Sequence, residues 1–277
     1  MKIGLLTAPF GGEPLDRVVE FAKEAGIQAL EVASGPGSKH FDPFALSKEE
    51  MREIRRMCDD AGVEISSLAF YGVRLDPDKR EDSKRILMAL IDAASEMGVE
   101  VVCTNAGFPV GEKSKMQTIE EDCSPFFREV VSHARKRGVK IALENWFATN
   151  IQNLEHWRRL FELVPDENFG LNFDPSHLVW QGIDYLAAVR EFGRRIFHTH
   201  AKDTEIDEAR LRVVGVHGDG WWRYVIPGFG VIDWGRYIGA LKEAGYDGVL
   251  SIEHEDRAFG REEGFLAAKR FLSLFVG

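Results

Sequence analysis

Four residues with donor side chains stand at the ends of four successive apolar runs. Residues 139–143 lead into Glu144, 170–173 into Asp174, 196–199 into His200 and 248–252 into Glu253. One charged group at a strand end is ordinary: it caps the next helix or pairs with a neighbouring lysine. Four in succession, each at the same edge of its strand, meet at one point if the strands form a parallel barrel. Two glutamates, one aspartate and one histidine make a ligand set for a single divalent cation. Mostly hard oxygen donors with one imidazole favour Mn²⁺ first, then Mg²⁺ or Co²⁺, with Zn²⁺ also admitted. Such a cation polarises a ketone and makes the neighbouring C–H acidic. One carboxylate then removes that proton and the other returns one. Return to the same carbon is epimerisation, return to the neighbouring carbon is aldose–ketose isomerisation, and loss of a β-hydroxyl is dehydration. Glu144 and Glu253 belong to strands separated by two others, which sets them across the barrel mouth as the expected acid–base pair.

Other residues flank this set. His177 follows Asp174 at i+3 and either leans over the cavity to donate to a substrate oxygen or caps the following helix. His198 shares a strand face with His200 one step deeper, and a satisfied core histidine is at least as good a reading of it as a catalytic one. Lys202 and Asp203 either steady the imidazole from behind or form a surface ion pair. Glu31, ending the second strand, and Asn105, ending the fourth, are candidates to reach a substrate from the opposite wall. Trp146, Trp221 and Trp222 offer flat apolar faces for a sugar ring, or simply pack the barrel rim. Arg223, between the tryptophan pair and Pro227–Gly228, suits an enediolate or hydroxyl oxygen, or a surface salt bridge.

The elements that must position these residues follow from periodicity. Strand-like runs cover 2–7, 28–33, 63–69, 99–104, 139–144, 169–174, 196–201 and 248–253. Amphipathic helical runs lie near 14–25, 47–61, 78–97, 118–137, 153–163, 182–191, 232–244 and 262–275. Gly26, Gly62, Gly98, Gly138 and Gly245 each stand just past a helical run and just before a strand, where glycine ends a helix. Strands joined by helices of this length run parallel. Eight such units close most simply into a (β/α)8 barrel, an α/β TIM barrel occupying 1–277 as one domain. The one long connection, 202–231, carries the Trp-Trp-Arg run and five glycines, and a connection of that length is usually functional.

The chain has 277 residues, a size at which one such barrel is common. Its net charge of −10 disfavours a polyanionic partner such as nucleic acid, whose binding rests on Lys and Arg. Cys58, Cys103 and Cys123 show no C-x-x-C spacing, against both a disulfide framework and a thiolate metal site. No apolar run has the length of a membrane span and no secretory leader is visible, so the expected location is the cytoplasm.

The stretches ALEN at 142–145, NFDPSH at 172–177, HAKD at 200–203, PGxGxxDW at 227–234 and YDGxxSIEHED at 246–256 resemble the sugar phosphate isomerase/epimerase family. That family has a xylose-isomerase-like barrel and includes ketose 3-epimerases, 3-keto-sugar epimerases and inosose dehydratases. The resemblance spans the chain and is most specific over 139–256. It implies that Glu144, Asp174, His200 and Glu253 hold one divalent metal, that the two glutamates are the acid–base pair, and that His177 and Arg223 contact substrate oxygens. The Trp-Trp-Arg run is most similar to members acting on 3-keto-glycosides. A sugar substrate is thus expected, with a metal-dependent lyase or dehydratase as the nearest rival, a non-catalytic sugar-binding barrel as another, and a dimer or tetramer as an open expectation. A DNA-repair endonuclease uses the same barrel with extra zinc-binding histidines, some at the ends of strands 3 and 4. Here those ends read Leu68–Ala69–Phe70 and Thr104–Asn105–Ala106, without histidine.

Overall fold

Glycine ends the helices where the sequence places it. Gly26, Gly62, Gly98, Gly138 and Gly245 all adopt positive φ, between 65° and 86°, and each leads within a few residues into a strand. The computed structural model describes residues 1–276. In chain order its strands are β1 (Lys2–Leu6), β2 (Ala29–Ala33), β3 (Glu64–Phe70), β4 (Val101–Thr104), β5 (Lys140–Glu144), β6 (Phe169–Phe173), β7 (Ile196–Ala201), β8 (Asp203–Ile206), β9 (Trp222–Val225) and β10 (Val249–Ile252). Eight of them close into a parallel barrel in the order β1-β10-β7-β6-β5-β4-β3-β2, so this is a single TIM barrel ringed by helices. No helix among the described residues is long and apolar enough to cross a membrane.

Side chains alternate along each strand between the barrel interior and the helical layer. Leu30, Leu68, Leu143, Phe173 and Ile252 face outward into the large core under the helices, where burying each contributes about 2 kcal/mol. Leu6, Ala69, Val101, Cys103 and Ala142 form a separate small cluster inside the barrel. Glu144 is two residues past Ala142 and so points inward as well. The same period aligns Asn172 with Asp174, His198 with His200, and Ser251 with Glu253. The barrel interior therefore changes from apolar to polar towards the C-terminal ends of the strands.

The 202–231 connection is an ordered insertion rather than a loop. β8 and β9 pair antiparallel, with Thr204 opposite Tyr224 and Ile206 opposite Trp222, and a short helix, Glu208–Val214, joins them. Asp203 anchors the far side. It is fully buried and accepts from the backbone N–H of Thr204 (2.8 Å), Gly228 (3.2 Å) and Ile232 (3.1 Å) and from Trp234 Nε1 (2.8 Å). This explains the PGxGxxDW run: a Cβ on Gly230 would stand 2.2 Å from Asp203 Oδ1 and 2.4 Å from the Thr204 carbonyl. Asp203 thus fastens the insertion to the barrel and does not touch the imidazole of His200. The helical run expected over 118–137 is also divided, into Lys115–Thr118, one wide turn at Ile119–Cys123, and Ser124–Lys136.

Candidate metal centre

β5, β6, β7 and β10 deliver Glu144, Asp174, His200 and Glu253 to one place. From His200 Nδ1, Glu253 Oε2 is 3.1 Å away, Glu144 Oε1 3.5 Å and Asp174 Oδ2 3.8 Å. One donor atom from each residue lies within 4.8 Å of all the others. Asp174 and His200 are fully buried, and Asp174 Oδ2 and His200 Nδ1 make no aligned hydrogen bond with any described residue. Buried polar atoms are almost always paired. Two such atoms 3.8 Å apart among carboxylates fit a divalent cation, with Glu144, Asp174, Glu253 and His200 Nδ1 as the residues that would hold it.

His200 and Asp174 are fixed from behind. His200 Nε2 faces Glu31 Oε2 at 3.0 Å and Oε1 at 3.2 Å, so the ring proton sits on Nε2 and Nδ1 is turned to the cluster. Glu31 is fully buried and also accepts from Ser251 Oγ (2.7 Å) and from the Tyr71 hydroxyl. The Asn145 side chain grips the backbone of Asp174 both ways: its Oδ1 accepts from Asp174 N–H at 2.7 Å and its Nδ2 donates to Asp174 C=O at 2.8 Å. Asp174 Oδ1 accepts from Ser176 N–H at 2.8 Å, which leaves Oδ2 for the cluster. These contacts are the structural content of the ALEN and DPSH runs.

The electrostatics follow from burial opposed by neighbours. Burial alone would raise the carboxyl of Asp174, but Lys202, His177 and His200 outweigh it and hold the group well below the usual carboxylate range. Glu144 is lowered in the same way by His177 and His200. Glu31 is brought down to about 2 against its burial, chiefly by His200, with a hydrogen bond from Tyr71 adding to it. For His200 burial favours the neutral ring, but Glu31 and Glu253 prevail and raise it well above the ordinary histidine value. A cation taking the Nδ1 lone pair therefore displaces a proton.

Lys202 is the largest departure from the sequence reading. It is not part of a surface ion pair: it is 1% exposed, with Nζ 2.6 Å from Glu253 Oε2, 3.2 Å from Asp174 Oδ2 and 3.2 Å from Glu255 Oε2. Its ammonium lies 4.4 Å from the centre of the Tyr224 ring.

Above the cluster opens a cavity of about 710 Å³, bordered by Glu144, Glu253, His177, Trp146, Trp222 and Arg223, and also by Tyr71, Phe147, Lys202 and Tyr224. His177 stands beside Glu144, its Nε2 3.2 Å from Oε1 and its Nδ1 2.6 Å from the Tyr224 hydroxyl. Trp222 stacks on Trp180 with centroids 4.4 Å apart and planes 5° apart, and Phe147 meets it edge-on. Trp146 meets Phe147 and Phe108 at right angles, while Trp221 is buried against Trp180 outside the cavity lining. Arg223 reaches the rim, with Nε 2.5 Å from Glu205 and Nη1 2.7 Å from Asp256. Glu31 and Asn105 lie outside the cavity lining. Glu31 is behind His200, and Asn105 is spent on backbone, donating to the Tyr71 carbonyl and accepting from Gly107 N–H at 3.0 Å. His198 is buried one step deeper between Asn172 Oδ1 and Ser66 Oγ, each 3.1 Å away; burial lowers it to about 4, so it is a neutral core histidine. Tyr71 and Tyr224 were not anticipated. Tyr71 sits one residue past β3, in phase with the inward-facing Ala69, and that phase was its only signal in the sequence.

A parallel eight-stranded barrel with a buried cluster of three carboxylates and one imidazole at its C-terminal mouth defines a class of metal-dependent barrel enzyme. Residues 19–274 match the family described as xylose isomerase-like TIM barrel, and the chain belongs to that family, whose members act as sugar isomerases, epimerases and dehydratases. The chain is 31% identical to an inosose dehydratase of Lacticaseibacillus casei (strain BL23), over 98% of this chain and 96% of the relative. Its fold is shared with the IOLI protein crystallised with a bound zinc atom (TM-score 0.78, 21% identity, 100% of this chain and 98% of the other). It is shared also with L-ribulose 3-epimerase (TM-score 0.75, 18% identity, 99% and 94%).

Proposed function

We propose that the chain is a divalent-metal-dependent epimerase or isomerase of a small keto-sugar, a ketose or 3-keto-glycoside, working by proton abstraction next to the ketone and return through an enediolate. The observation that carries this reading is the meeting of Glu144 and Glu253, from strands separated by β6 and β7, at the cluster that also holds Asp174 and His200. A bound divalent cation, Mn²⁺ by the donor set, would supply Lewis-acid polarisation of the carbonyl. The protein's own groups do the rest. Glu144 and Glu253 both border the cavity, and β6 and β7 lie between their strands, so one carboxylate takes the proton and the other gives one back on the opposite face of the substrate. Lys202 holds Glu253 in place through its 2.6 Å contact. His177 presents an N–H beside Glu144, where a substrate oxygen would lie, and Trp146 and Trp222 offer faces to a sugar ring.

The test is deuterium exchange followed by NMR, with the metal-loaded protein in D₂O and a panel of ketoses, inososes and 3-keto-glycosides. The expected result is deuterium at the carbon next to the ketone without loss of water or aglycone. Glu144→Gln and Glu253→Gln should each lower exchange by about 10²-fold or more. Near-normal exchange in either variant sinks the two-carboxylate assignment. A second reading, dehydration of an inosose after the same first step, is favoured by the inosose dehydratase relative and by the buried ammonium of Lys202 beside Glu253. It would appear as stoichiometric loss of water and growth of an enone absorbance.

A further inference from the structure

Tyr224 comes from the β8–β9 insertion and not from a barrel strand, and its hydroxyl sits 2.6 Å from His177 Nδ1. The other nitrogen of the same ring, Nε2, is 3.2 Å from Glu144 Oε1 and 3.4 Å from Asp174 Oδ2. Carboxylate oxygens are acceptors, and Nε2 faces two of them, so Nε2 is the donor. A ring that donates through Nε2 and accepts from a phenol through Nδ1 carries one ring proton. With that proton on Nε2, Nδ1 is bare and accepts from the phenol, which burial keeps protonated by raising its pKa well above the usual tyrosine value. The ring is further confined by an edge-to-face contact with Tyr224, centroids 5.2 Å apart and planes at 90°. Tyr224 in turn is held by its place opposite Thr204 in the β8–β9 ladder and by the Lys202 ammonium over its ring.

We propose that Tyr224 is a positioning residue: its hydroxyl locks His177 as the Nε2–H tautomer, aiming a single N–H donor at the Glu144 side of the cavity where the substrate oxygen binds. The insertion thereby completes the site with a group that the barrel strands do not provide. A phenylalanine at 224 leaves Nδ1 without a donor, so the proton can occupy either nitrogen and the ring loses its fixed orientation. The part of the proposal that concerns substrate rests on the enolising reaction proposed above, whereas the tautomer does not.

The experiment reads the two separately. Protein labelled with ¹⁵N-histidine and loaded with diamagnetic Zn²⁺ is examined by long-range ¹H–¹⁵N correlation, with the His177 signals assigned by their loss in His177→Gln. The expected wild-type spectrum has a protonated Nε2 and a bare Nδ1, and Tyr224→Phe shows an averaged pair or a protonated Nδ1. In deuterium exchange Tyr224→Phe should lose about 10- to 100-fold in kcat with little change in KM or in zinc content, the pattern of a lost orienting partner rather than of a damaged fold. A protonated Nδ1 in the wild-type protein, protons on both nitrogens, or an unchanged tautomer in Tyr224→Phe overturns the proposal. Should Tyr224→Phe not fold, the wild-type spectrum decides alone. A protein that exchanges no deuterium with any substrate sinks the proposed reaction and leaves the tautomer result standing.

Discussion

At the scale of residues, the centre is organised about His200, which faces three carboxylates on one nitrogen and a fourth, Glu31, on the other. The four residues of the cluster were legible in the sequence because each ends an apolar run of strand length. The role of Glu31 was not, because whether a strand-end carboxylate faces the substrate or backs a ligand depends on which side chains cross the barrel, and periodicity carries no such information. Asn105 misled for the same reason: its amide closes a local backbone turn instead of reaching the cavity. Lys202 was read from HAKD as either a support of the imidazole or half of a surface ion pair, but a lysine just past an inward histidine folds back into the barrel when carboxylates await it. Glu31→Gln should keep the volume but remove the negative partner of the imidazole, weakening binding of Zn²⁺ or Mn²⁺ by about 10- to 100-fold in calorimetric titration, as loss of such partners does elsewhere. Unaltered affinity would show that Tyr71 and Asn172, 3.2 and 3.0 Å from Nε2, orient the ring without it.

At the scale of elements, the alternation of strand and helix was readable almost to the residue. The glycines past the helix ends and the period-2 runs are local signals, satisfied by local geometry. The 202–231 insertion was recognised only by its length. Its strands have four residues each, and β9 begins at the second of two adjacent tryptophans after a glycine-rich stretch, so no periodicity could separate hairpin from loop. Asp203 makes the insertion part of the fold by satisfying four donors at once. Asp203→Ala would leave several buried N–H groups unpaired and should lower the unfolding free energy by about 3 kcal/mol in urea titration. It should also diminish any exchange activity, since Tyr224 and Trp222 ride on the same hairpin. Stability within about 0.5 kcal/mol of the parent would mean that water replaces the aspartate without cost.

At the scale of the molecule, a cation that binds the folded state alone must stabilise it. At a concentration 100 times its dissociation constant the gain is about 2.7 kcal/mol, or about 5–10 °C in Tm for a chain of this size. Calorimetric scans with Mn²⁺ and after chelation should differ by that amount, and the difference should vanish in Glu253→Gln combined with Asp174→Asn. Identical scans would mean that the cluster binds no cation. A strongly acidic chain with a buried ring of carboxylates is where that effect should be easiest to see.

The strand order adds a consequence for assembly. Glu253 follows the last strand, β10, which seals the circle between β7 and β1, and the carboxylate behind His200 comes from β2 on the far side of that seam. A chain still missing its final fifty residues can offer a cation only an incomplete grip. A cation bound there would be captured tightly only once the ring is shut, and would act as a late latch on the closed barrel.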